Sequence, residues 1–101
     1  MIVRAWRGRA SIARPQAYPD HFNRNVLPEL RGMEGFLGAS LLREEQGGQI
    51  EFLVLTRWTS MAAVSAFAGA DVGRAVVEPE AVAALESFDE WVHHYSVVTE
   101  T

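Results

Sequence analysis

The chain contains neither cysteine nor lysine. Without cysteine there are no thiol nucleophiles, disulfides, zinc–thiolate sites or iron–sulfur clusters, and the redox compartment cannot be read from the sequence. Without lysine there is no Schiff-base chemistry through a side-chain amine, and arginine is the only strong cation. The nine basic residues are all arginines, scattered between Arg4 and Arg74 in a chain of net charge -4. They form no run or stripe, which makes nucleic acid and anionic membrane poor partners. No apolar run reaches the ~18 residues of a membrane span. The opening Met1-Ile2-Val3-Arg4-Ala5-Trp6-Arg7 lacks the apolar core of a signal peptide, so a cytoplasmic protein is expected. Three histidines without ligand spacing give no reason to expect a metal site.

What is present is ordinary globular composition, 49% hydrophobic and 22% charged over 101 residues, which fits one domain spanning 1–101. Ile2–Ala10 alternates as a strand does, with Ile2, Arg4, Trp6 and Gly8 on one face and Val3, Ala5, Arg7 and Arg9 on the other. Pro15 and Pro19 open a helix that runs to about Leu30, with Tyr18, Phe22, Val26 and Leu30 as its apolar stripe. Pro28 is expected to kink or end it, because the proline ring meets the carbonyl of Arg24. Phe36–Glu45 and Ile50–Trp58 read as strands joined by a hairpin turn at Gly47-Gly48, the second apolar on both faces as if covered on both sides. No helix follows the two glycines, so they are not a phosphate loop. Thr59 or Ser60 caps a helix Met61–Ala68 that Gly69 stops. A short helical turn Asp71–Val77, a helix from Pro79 with Val82 and Leu85 inward, and a last strand Phe88–Val98 complete the chain.

The order β-α-β-β-α-β defines an α+β, ferredoxin-like fold, an antiparallel sheet with helices on one face. The opposite sheet face is left with Trp, Phe, Leu and Val side chains. A homodimer formed sheet to sheet is the simplest cover for it.

The junction Leu55-Thr56-Arg57-Trp58-Thr59-Ser60 is the most specific piece of a wider pattern. With it go SAFAGADVGRAVV (65–77), GMEGFLGASLLR (32–43) and HHYSVV (93–98). Together they resemble the antibiotic biosynthesis monooxygenase family over residues 2–98. The resemblance implies a dimeric α/β barrel and two kinds of activity. One oxidises polycyclic phenols with dioxygen and neither metal nor flavin. The other degrades haem, which is both substrate and oxygen activator. Some domains of the wider dimeric-barrel group bind ligands with no established catalytic role.

Haem-degrading members imply an asparagine on the first strand, a tryptophan on the second crossover and a histidine after it. This chain has Trp6 and Arg7, then Phe67, then Ala75-Val76-Val77 at those places. Cofactor-free oxygenation asks the protein to deprotonate or hydrogen-bond a phenol, shape an apolar pocket and exclude water. In phenol-oxidising relatives a tryptophan at a similar junction lines the pocket, which makes Trp58 a candidate wall and indole donor. Val54 stands where their asparagine is expected, and a core anchor is the other role open to Trp58. His93 and His94 are strand neighbours, so one faces the helices and the other the dimer side, and the two cannot chelate one metal. His94 beside Tyr95 is the candidate base, with an interface or buried histidine as the alternative. Tyr18, His21, Phe22 and Phe67 are the candidate substrate contacts. The expected function is oxidation of a small aromatic or quinol-like molecule by dioxygen, with no bound cofactor. A non-catalytic ligand-binding or stress-response module and a haem-handling protein stay open, separated by which of His21, His93 and His94 points into the cavity.

Overall fold

Alternation places β1 (Ile2–Ser11) at the centre of a five-stranded antiparallel sheet in the computed structural model, which describes residues 1–101. On one side of β1 lies β3 (Gln49–Trp58) and beyond it β2 (Phe36–Gln46); on the other side lie β4 (Ser87–Phe88) and β5 (His93–Ser96). The β2–β3 hairpin turns at Gly47 and Gly48, with φ of 56° and 79°, values that glycine adopts without steric penalty. Trp6 pairs with Val54, Arg4 with Thr56 and Gly8 with Phe52, so the even-numbered residues of β1 and β3 share one face.

That face carries the helices, and the arrangement is the ferredoxin-like α+β plan. α1 (Ala17–His21), a π-helical turn (Phe22–Val26) and α2 (Leu27–Arg31) follow one another without a break. Tyr18, Phe22 and Leu30 are buried on the sheet as their spacing predicts. Pro28 does not end the helix. The chain widens just ahead of it, with the Leu27 N–H reaching back to the Phe22 carbonyl, and the looser turn accommodates the missing proline donor.

α3 (Met61–Ala68) starts at Ser60, whose hydroxyl accepts from the Ala63 N–H at 3.2 Å, and stops at Gly69. Trp58, Leu30 and Val64 form a fully buried cluster beneath it, and Ile50, Phe52, Tyr18 and Phe22 form a larger one with α4 (Pro79–Ala84). α4 turns Ala81 and Ala84 inward and leaves Val82 exposed, because small residues let the short helix sit close to Tyr18 and β1.

Two further expectations are corrected in the C-terminal third. Residues 71–77 form one turn at 72–73 followed by irregular chain rather than a helix, because their backbone groups are taken by distant partners. Arg4 holds the Val72 and Arg74 carbonyls, the Ala75 N–H donates to Glu90, and the Val92 N–H donates to Gly73. The last strand is split at 89–92, where the Asp89 carbonyl accepts from the Trp6 indole at 2.7 Å and Trp91 bridges to Arg74.

The outer sheet face also differs from expectation. Trp6, Phe52 and Trp58 all turn to the helices, leaving Val3, Leu42, Leu53, Leu55, His93 and Tyr95 outside. Arg7, Arg9, Glu51 and Asp89 form an ion-paired network at one end of that face.

Candidate active site

A cavity of about 310 Å³ lies between the sheet and the helices. Its size falls at the lower end of the range for small-molecule sites. The sheet supplies Arg4, Trp6, Val54 and Thr56, the first helical run supplies Tyr18, His21, Phe22, Val26, Glu29 and Leu30, and Phe67 comes from α3. Val76, Glu78, Ala81 and Val92 close the remaining side.

All four expected substrate contacts, Tyr18, His21, Phe22 and Phe67, line this cavity. The helical stripe puts the first three on one wall. The Tyr18 ring lies 5.4 Å from that of Phe52 and 5.9 Å from that of Trp6, centre to centre. Its hydroxyl makes no hydrogen bond within the chain and is not sealed off, since the one fully enclosed side-chain nitrogen or oxygen without a partner is His21 Nε2. Burial, and then the charge of Glu78, push the Tyr18 phenol well above its ordinary value. It therefore stays a neutral hydrogen-bond donor. His21 is held by Asn25, whose side-chain amide donates to Nδ1 at 3.0 Å. An amide N–H only donates, so the neutral ring carries its proton on Nε2.

None of the three expected catalytic side chains lines the cavity. Trp58 is 0% exposed and its indole N–H donates to Thr56 Oγ1 at 2.9 Å. It stacks on Phe67 at 5.3 Å and meets Phe36 edge-on, so it stands behind the cavity wall as a core anchor. Tyr95 is 55% exposed on the outer face beside His93, because its cross-strand partner is the outward-facing Val3. His94 is on the helix side, opposite Arg4, and its Nε2 accepts from Arg4 Nη1 at 2.9 Å. Burial, then the charges of Arg4 and His93, lower its pKa, so at neutral pH the ring is uncharged and keeps the lone pair that Arg4 uses.

Arg4, Thr56, Glu29 and Glu78 are polar lining residues that sequence reasoning did not single out, and Arg4 is the most deeply engaged of them. It is only 5% exposed, and its guanidinium binds the Val72 carbonyl at 2.7 Å, the Arg74 carbonyl at 3.0 Å and His94. It also lies 5.7 Å from the centre of the Phe67 ring. Burial lowers its pKa from the ordinary arginine value. Its signal was its shared face with Trp6 in an otherwise apolar strand end.

An antiparallel sheet whose helices wall a mainly apolar cavity with a few polar groups defines an α+β domain of the ferredoxin-like class. The chain belongs to the antibiotic biosynthesis monooxygenase family, whose sequence model matches residues 1–79. No curated protein sequence matches it. Among solved structures it is similar to an antibiotic biosynthesis monooxygenase fold from Bacillus cereus, at 18% identity and a TM-score of 0.69, over 99% of this chain and 95% of that one. It is also similar to the haem degrader MhuD from Mycobacterium tuberculosis with two haems bound in its active site, at 23% identity and a TM-score of 0.59, over 100% and 99% of the two chains. A mutant of MhuD with two manganese protoporphyrin IX molecules per active site matches at 20% identity and a TM-score of 0.64, over 100% and 98%. At these identities the likeness is one of fold.

Proposed function

We propose that the chain is a monooxygenase that oxidises a small phenol or quinol with dioxygen in this cavity, using no bound cofactor. The observation that carries the reading is the free, neutral Tyr18 hydroxyl in a mainly apolar, partly enclosed site. In the simplest case a phenol and dioxygen give a para-quinone and water. The substrate supplies all the electrons, one oxygen atom becomes the new carbonyl, and the other leaves as water.

The protein's contribution is to bind the ring between Trp6, Phe22 and Phe67, to hydrogen-bond the phenolic oxygen through Tyr18, and to keep water out. His94 serves by holding Arg4, and Trp58 by backing Phe67. The haem-degrading reading draws less support. The cavity's one histidine, His21, has Nδ1 committed to Asn25 and Nε2 sealed away.

Oxygen uptake should be measured against a panel of phenols, naphthols and anthrols. At least one should be consumed faster than in buffer, with Tyr18→Phe slowing turnover roughly ten- to hundredfold. Uptake that never exceeds the uncatalysed rate overturns the proposal and leaves ligand binding as the function.

The same reading includes a homodimer through the outer sheet face, where Val3, Leu53, Leu55 and Tyr95 are left beside the ion-paired end. Sedimentation equilibrium should show twice the chain mass, and Leu53→Asp should return the monomer mass. A wild-type monomer at micromolar concentration sinks the dimer.

A further inference from the structure

The interior of this small domain holds one guanidinium, and nothing of opposite charge meets it. Every ion pair in the chain involves Arg7, Arg9 or Arg74, never Arg4. Its three partners are two backbone carbonyls and an uncharged imidazole. These orient a cation without neutralising it, whereas buried charges are ordinarily paired. The guanidinium also keeps unused donors. Nε–H and one N–H of Nη2 make no bond within the chain, and Nε is not sealed in the way His21 Nε2 is. A carboxylate bridges donors of this kind with two parallel charge-assisted bonds.

We propose that the cavity takes an aromatic acid, its carboxylate seated on Arg4 and its ring against Trp6, Phe22 and Phe67. The inference rests on reading this cavity as the substrate site, and it adds the class of molecule. The charges in the lining set the direction of entry. Glu29 and Glu78 are the two carboxylates there; the charge of Glu78 is felt at Tyr18, and neither is ion-paired with Arg4. An anionic group is repelled from the Tyr18 side and attracted to the Arg4 side. The phenolic end of the same molecule then reaches Tyr18, where the proposed oxidation requires it. The cavity of about 310 Å³ suits a bicyclic ring system of this kind.

The test uses the wild-type 101-residue chain and three matched probes: 2-naphthoate, its uncharged isostere 2-naphthamide, and 2-naphthol. Calorimetric titration should show the carboxylate binding at least about tenfold more tightly than the amide, the preference shrinking with added salt. The Arg4 Nε–H resonance should move with naphthoate and stay still with naphthamide. Equal affinities, or a preference for the amide, overturn the aromatic-acid inference and leave the cavity reading standing. Failure of all three probes to bind overturns both. Arg4→Lys keeps the charge and loses the fork, and should weaken naphthoate about tenfold while leaving naphthamide within about twofold. Should that variant not fold, the wild-type comparison decides the matter alone.

Discussion

Replacing Trp58 with alanine is expected to remove ~3–5 kcal/mol of folding stability, as truncation of a buried aromatic in a rigid core does. In a domain of this size that lowers the unfolding midpoint by roughly 15–30 °C. The indole is 0% exposed, stacks on Phe67 at 5.3 Å, meets Phe36 at 5.5 Å and shares a cluster with Leu30 and Val64. Removing it empties the junction between β3, α2 and α3 and leaves the Thr56 hydroxyl, which lines the cavity, without its donor. Denaturant titration measures the loss. Trp58→Phe separates the two roles open to this residue, since it keeps most of the packing and drops the indole donor. It should retain turnover within about threefold while losing ~1–2 kcal/mol. A folded phenylalanine variant with turnover down a hundredfold would instead put Trp58 in the chemistry.

Gly35→Ala comes second, at ~2–4 kcal/mol, and its origin is different. Gly35 has φ of 83°, a conformation that is strained for alanine. A Cβ built there lies 2.5 Å from the Ala63 Cβ and 2.7 Å from Thr59 Oγ1, so the loop and the start of α3 must part. Its carbonyl accepts from the Thr59 N–H at 2.9 Å, which ties that loop to the helix start directly above Trp58. Gly32→Ala is the matched control. That residue has φ of -82°, and its nearest contact is an ordinary 3.5 Å from the Glu29 carbonyl, so the change should stay within ~0.5 kcal/mol. Adding Ala63→Gly to Gly35→Ala should recover the part due to the Ala63 methyl and leave the Thr59 contact and the backbone part. Similar midpoints for the Gly32 and Gly35 variants would show that the tight junction is not maintained in solution.

The parts of the fold that were legible from sequence are those held by neighbours in the chain. Tyr18, Phe22, Val26 and Leu30 announce the first helix by period, Gly47-Gly48 announces the hairpin, and Ser60 and Gly69 bracket α3. The C-terminal third was misread because its conformation is set from the other end of the molecule. Arg4 binds carbonyls 68 and 70 residues away, and Trp6 binds one 83 residues away. No local propensity records such contacts, and the small, apolar Ala75-Val76-Val77 is compatible with helix, strand or coil.

The site divides along the same line. The aromatic wall follows from helical spacing for Tyr18, His21 and Phe22 and from the family resemblance for Phe67, so these could be named in advance. The polar floor depends on cross-strand register, which brings Arg4 beside Thr56 and His94. Register also decided between the two histidines, by putting His93 on the outer face and His94 on the helix side behind Arg4.

The π-helical turn at Phe22–Val26 holds one residue more than an α-helical turn would. Residues before it are therefore rotated by about 100° relative to those after it, compared with an uninterrupted helix. Leu30 can keep its seat on Trp58 while a different residue than His21 is dialled toward the cavity, simply by losing or gaining one residue in that turn. Chain length there acts as a selector for the cavity wall. Insertions and deletions at this point of the helix offer the fold a route to new ligands that leaves the Leu30–Trp58–Val64 cluster in place.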